Sequence, residues 1–312
     1  MNRRSIELLI QRASANSHFF TSRISRRLVG ALCTVLLFAT SQSVLAGSIT
    51  YPNPANGSFA GNTVIYGPDF GPADHGVTES SITDPVPLFG SPTVTGDSIS
   101  FTPTGFGTFA SGGSVDVTDG QLVFKILAKP SFVINNVSFS EAGITTLFGS
   151  GTDITHTDVS ADGILNILQV DGVGINSIPV PIHLLFTPLT TAPPARPGDP
   201  LGTSGTFRLV SDGPLSSQDW NGSQGISLNQ VLIDHGITFT HGVTLLSVDM
   251  DNTLIAQSQL GTIALIDKKF FGGLSITVNQ GSGGGPNGPE PTSLVLACLG
   301  FIGVLGARRL GR

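Results

Sequence analysis

The chain has 312 residues, of which 39% are apolar and only 12% charged; this supplies a folded core and argues against both a helical bundle and global disorder. Forty Gly, twenty Pro and nineteen Phe favour short strands joined by many turns. Nine of the fifteen basic residues crowd the two termini, leaving six against twenty acidic residues over 47–291, a balance that disfavours nucleic acid and anionic lipid as partners.

Residues 1–46 read as a signal peptide. A basic region ends at Arg26-Arg27, the apolar run Leu28–Ala39 follows, and Ser43-Val44-Leu45-Ala46 places a small-residue cleavage site between Ala46 and Gly47. The run is short for a membrane-crossing helix, which favours cleavage over anchoring. The two cysteines, Cys33 and Cys298, both lie in terminal apolar segments. The domain between them therefore needs neither a disulfide framework nor a cysteine-bound metal.

From residue 48 to 280, apolar–polar alternation recurs in short runs. In chain order they are 114–118, 121–128, 132–139, 164–170, 178–186, 207–210, 237–241, 243–250, 262–266 and 274–278. Asp119-Gly120, Asp162-Gly163, Asp171-Gly172 and Asp212-Gly213 read as turns between or beside them. Pro179 and Pro181 lack amide hydrogens for a ladder, so their segment reads as an edge strand or an extended loop. Thr190–Pro200, with four prolines, reads as a surface loop. Ser227 is placed to cap a helix over Leu228–His235, with Leu228, Val231 and Leu232 on one face and Gly236 as its stop. A strand from Ile226 to Ile233 competes with it. The pattern predicts an all-β protein: a jelly-roll-like β-sandwich over 47–280 with at most one short helix, flanked by apolar helical terminal segments.

The C-terminus has three successive parts. A Gly-rich spacer, 281–288, precedes Pro289-Glu290-Pro291. The apolar run Leu294–Ala307 follows, and Arg308, Arg309 and Arg312 close the chain. Such a tail can pause in a membrane with its arginines on the cytoplasmic side. Over 289–312 this order resembles the PEP-CTERM sorting signal. The resemblance implies processing by an exosortase, a membrane protease or transpeptidase, near the motif, after a transient stay in the inner membrane. Pro289, Glu290, Pro291, Arg308 and Arg309 carry it. The stretch from Asp251-Asn252-Thr253-Leu254 to Lys268-Lys269, with Ser258, Gly261-Thr262, Ala264 and Ile266 between, resembles the last segment of exported β-rich proteins of the same group. That resemblance implies a structural role and transfers no activity.

Candidate chemistry is sparse. No G-x-S-x-G elbow occurs, and the five histidines beyond residue 46 are scattered. Asp234, His235 and His241 form the tightest ligand-type group but lack a third convincing ligand for a metal. Asp249 and Asp251 share one face of a strand and offer oxygen ligands for calcium, without an EF-hand loop. Glu79 and Glu141 are the two glutamates of the domain, and their neighbours suggest loop or edge positions. Trp220, the only tryptophan, is the candidate for stacking on a sugar face. Packing over a sandwich edge is the alternative. These readings lead to a non-enzymatic protein of the cell surface or extracellular matrix, structural or adhesive in a biofilm, that needs no cofactor. Its expected partners are an exosortase and extracellular polysaccharide. A carbohydrate-binding module and a secreted hydrolase are the alternatives.

Overall fold

The computed structural model describes residues 47–70, 75–213, 216–269 and 273–279. The strands are β1 (Gly47–Tyr51), β2 (Val64–Tyr66), β3 (Val77–Ser81), β4 (Thr93–Thr95), β5 (Ser98–Phe101), β6 (Gly107–Ser111), β7 (Val115–Ala128) and β8 (Asn136–Gly149). They continue as β9 (His156–Val170), β10 (Val173–His183), β11 (Leu185–Thr187), β12 (Thr206–Arg208) and β13 (Gln218–Ser227). Helix α1 (Leu228–Asp234) comes next, then β14 (Val243–Gln257), β15 (Thr262–Lys268) and β16 (Leu274–Asn279).

All pairings are antiparallel and form two sheets. The first runs β1-β3-β7-β14-β9-β10, with β2 beside β7 and β12 beside β9. The second runs β11-β13-β8-β16-β5-β4, and β15 joins β8 to β6. Strand β8 pairs with β13 along one edge and with β16 and then β15 along the other. Inward residues of both sheets, among them Leu122, Phe124, Met250 and Leu165 from the first and Phe139, Leu147, Ile266 and Ile276 from the second, join one apolar cluster. This is a β-sandwich, the class that the alternation predicts. The chain changes sheet between β3 and β4, at every step from β6 to β9, at every step from β10 to β14, and again between β14 and β15.

Two of the four Asp-Gly pairs are not turns. Asp119-Gly120 lies within β7, so the runs predicted at 114–118 and 121–128 form one strand, and Asp162-Gly163 lies within β9, which begins at His156, well ahead of the run predicted at 164–170. The glycines are there for close approach. A Cβ on Gly120 would lie 2.8 Å from Phe106 and 3.0 Å from Leu88 and Phe89; one on Gly163 would lie 2.3 Å from the carbonyl oxygen of Asp249. Asp171-Gly172 is a turn as read, with φ of 52° and 77° linking β9 to β10. Strand β10, which holds Pro179 and Pro181, is an edge strand.

Helix α1 forms where predicted and buries Leu228 and Leu232, but Ser227 makes no side-chain cap. The amide of Leu228 is satisfied instead by the carbonyl of Asn135, at 2.8 Å. The strand predicted over Ile237–His241 does not form. The amides of Thr240, His241 and Gly242 converge on the carboxylate of Asp171 at 2.6–2.8 Å, which takes them out of any ladder.

The close contact at Gly163 makes a stability prediction. Gly163→Ala is expected to lose about 1–3 kcal/mol through overpacking. Gly174→Ala, where nothing lies within 4 Å of the new carbon, should stay within about 0.5 kcal/mol. Urea midpoints at unchanged m-value would check both.

Candidate functional site

The alternation of β8 places Glu141 and Gly143 inward, in phase with Val137 and Phe139. Across the sheet Gly143 stands between Trp220 of β13 and Lys268 of β15. The indole occupies the space above this glycine, where a Cβ would come within 2.0 Å of the ring. From this row the Lys268 side chain reaches Glu141 Oε2 at 2.6 Å and, from the opposite sheet, Asn252 Oδ1 of β14 at 2.6 Å. The Lys268 and Glu141 side chains are wholly shielded from solvent, and Asn252 is buried. The ammonium lies 4.8 Å from the ring centre of Phe106 and 5.8 Å from that of Phe89.

Burial pushes the Glu141 carboxyl up and the Lys268 ammonium down from their ordinary values, and their mutual attraction opposes both shifts. Glu141 Oε1, Asn252 Nδ2 and Trp220 Nε1 are buried without a hydrogen-bond partner among the described residues. A surface recess of about 540 Å³, lined by Pro103, Phe106, Gly107, Asp267 and Lys268 among others, adjoins the cluster.

Neither domain glutamate sits in a loop or at an exposed edge, as their neighbours suggested. Glu79 is inward on β3 and 0% exposed. It accepts the amides of Leu88 (2.5 Å) and Gly90 (3.1 Å) and the hydroxyl of Tyr51 (3.0 Å). Glu79 thereby holds the turn that carries Phe89 toward Lys268. Neither acid falls within a run of alternation read from the sequence, and the partners that offset the cost of its burial come from distant segments.

Trp220 is 1% exposed and packs edge-on against Phe186 at 5.9 Å. No face of it is open to a sugar, so the stacking reading is corrected: the glycine beneath it and the apolar cluster around it draw the ring inward. Asp249 and Asp251 do share the outer face of β14. Gln121 Nε2 donates to Asp249 Oδ1 at 2.7 Å. Asp251 is pushed up to about 6 by partial burial and by neighbouring Asp119. Asp234 accepts from Gln230, the His235 ring meets the carbonyl of Val231, and His241 lies in the loop held by Asp171. Among the described residues no group of three or more His, Cys, Asp or Glu is arranged to hold a metal ion.

One cluster had no sequence signal. His183 stands between Asp162 (Nδ1 to Oδ1, 2.6 Å) and Asp199 (Nε2 to Oδ2, 2.9 Å), and Arg196 also reaches Asp162 at 2.6 Å. It fastens the Pro-rich loop to the β9–β10 edge. Its members are brought together only by the loop's return to the sheet.

Beyond the sandwich, a family profile described as the PEP-CTERM protein-sorting motif matches residues 289–309. The chain carries a PEP-CTERM sorting signal. The match includes Pro289, Glu290, Pro291, Arg308 and Arg309, all outside the described residues, as is Ala46. Gly47 opens β1. A PEP-CTERM signal marks an exported protein whose tail rests transiently in the membrane for an exosortase.

A loop-swap mutant of Xyn11A from Necallimastix patriciarum aligns at 10% identity and TM-score 0.19, over 61% of this chain and 95% of its own. The family 11 xylanase from Neocallimastix patriciarum aligns at 9% identity and TM-score 0.17, over 75% of this chain and 100% of its own. Likeness at that level assigns no activity. No curated protein matches the sequence.

Two outcomes follow for the charged groups. Lys268→Met is expected to destabilise the fold by about 3–5 kcal/mol, because it strands Glu141 without a counter-ion, and adding Glu141→Gln should recover part of that loss. A double-mutant cycle from denaturant curves would check it. The folded value of Asp251 lies above that of the unfolded chain, so its contribution is present in acid and is lost as pH rises through about 6. Because the group borders solvent, less than about 1 kcal/mol survives screening. Thermal scans should show wild type gaining slightly over Asp251→Asn between neutral pH and the unfolded carboxylate value.

Proposed function

We propose that this is a non-enzymatic protein of the cell surface or extracellular matrix, structural or adhesive, delivered by exosortase and in contact with extracellular polysaccharide. The observation that carries the reading is the PEP-CTERM signal at 289–309. Support from the fold comes from the outer face of the second sheet. There Thr93, Ser100, Ser275, Ser140 and Ser223 form one cross-strand row, and Thr95, Ser98, Thr277 and Ser138 form the next. Neighbouring hydroxyls bond one another, as Ser98 does with Ser275 at 2.9 Å and with Thr277 at 3.0 Å. An uncharged, regular array of hydroxyls suits a neutral polysaccharide, which presents the same groups in return. The inward use of both domain glutamates in holding the fold also favours a structural role over glycoside hydrolysis.

The test has two arms. In cells with the sorting enzyme, the intact mass should lack residues 1–46 and the tail, and the protein should leave the inner membrane. Retention of residues 292–312 with and without the enzyme would make this an anchored membrane protein and overturn the sorting step. In pull-downs with the cell's own polysaccharide, Ser140→Glu with Ser223→Glu should weaken binding about tenfold, the scale of one or two lost hydrogen bonds. Equal retention of wild type and variant would remove the hydroxyl face from the proposal.

A further inference from the structure

The cluster at the centre of the sandwich holds a primary amine, a carboxamide and a carboxyl group in mutual contact. Lys268 Nζ is 2.6 Å from Asn252 Oδ1, so the amide carbon is at most one C=O bond farther, about 1.2 Å. The same nitrogen is 2.6 Å from Glu141 Oε2. Phe89 and Phe106 flank it, and the side chains of the lysine and the glutamate are closed to solvent. The amine is thus within about 3.8 Å of the amide carbon, and a turn of the Asn252 carboxamide, whose Nδ2 has no partner among the described residues to hold it, would present that carbon for acyl transfer in a site shielded from competing water. We propose that Lys268 and Asn252 condense into an intramolecular isopeptide bond, with Glu141 as the catalytic acid–base.

The chemistry closes without any other reagent. In the ion pair Nζ carries three protons. One passes to Glu141, which leaves a neutral amine and a carboxylic acid, the forms that burial favours on both partners. The Nζ lone pair attacks Cγ of Asn252, and the carbonyl π electrons move to Oδ1. Glu141 delivers its proton to Nδ2 and accepts one from Nζ. Oδ1 then re-forms its double bond, the Cγ–Nδ2 bond breaks and ammonia departs. The product is a secondary amide between Nζ and Cγ, and Glu141 remains protonated until ammonia or water takes the proton. No oxidant or reductant takes part.

Two orphaned atoms acquire a role in this reading. Asn252 Nδ2, buried with no partner among the described residues, is the leaving group, and the equally unpartnered Glu141 Oε1 is a second oxygen for proton transfer. The recess that adjoins Lys268 gives ammonia a short way out. The bond would tie β14 of the first sheet to β15 of the second across the corner at 258–261 and so lock the sandwich covalently, in a domain that has no cysteine for the purpose.

The deciding measurement is mass spectrometry of the exported protein, purified from its own cells and unfolded before digestion. Endoproteinase cleavage before Asp251 and Asp267 puts Asn252 and Lys268 on separate peptides. The expected result is one joined species, lighter than the sum of the two by one ammonia, with the link mapped to those side chains. Two separate peptides of full mass, with Lys268 open to amine labelling, would overturn the proposal. Ammonia loss confined to an Asn-Gly site such as Asn221-Gly222, with Lys268 still reactive, would overturn it too. Glu141→Gln should give at least a tenfold smaller linked fraction, and equal linkage would remove Glu141 from the chemistry. Should that variant fail to fold, Asn252→Asp serves instead: condensation there releases water and yields a linked peptide of the same final mass as wild type, and its absence counts against the reaction.

Discussion

The contact on which the sandwich turns is the one between Lys268, Glu141 and Asn252. A lysine and a glutamate removed from water each cost several kcal/mol, and only partners at hydrogen-bond distance offset that cost. Here the partners come from both layers: Glu141 and Lys268 from the second sheet, Asn252 from the first. The register of β8 with β15 and of β14 with β7 must therefore be right before the charges are satisfied at all. A slip of one residue would turn Lys268 or Asn252 to the outside and leave Glu141 buried alone.

The neighbouring glycines and aromatics follow from that constraint. Gly143 and Gly120 carry no side chain, so the Trp220 ring and the Phe89 and Phe106 rings can close over the cluster from either sheet. Glu79, by accepting the amides of Leu88 and Gly90, fixes the turn that brings Phe89 there. Thr145 with Thr157 and Thr155 with Thr262 add short hydroxyl contacts that are likewise buried. The core is thus specified by a few paired polar groups set in an apolar interior, which penalises alternative packings more steeply than apolar contacts alone.

The two outer faces differ in kind. The first sheet shows carboxylates, among them Asp249, Asp251 and Asp119, close enough that Asp251 holds its proton to about pH 6. The second shows rows of hydroxyls that bond to one another.

What was legible in the sequence was whatever depends on local order along the chain. The tail motif, the short apolar run behind it and its closing arginines are consecutive residues, and the family match falls on them. Alternation with period two revealed strands, the edge position of Pro179 and Pro181 followed from their missing amides, and Leu228 and Leu232 marked the buried side of α1. The motif from Asp251 to Lys269 was likewise visible as a pattern. Its meaning was not, because Asn252 and Lys268 meet only when β14 and β15 lie in opposite sheets. Tertiary structure alone decided that Asp119-Gly120 and Asp162-Gly163 run straight through strands, that Trp220 turns inward, and that Glu79 and Glu141 are core residues. Each depends on which distant group fills the space or accepts the proton, and sequence spacing carries no record of contacts that form only when the two layers close.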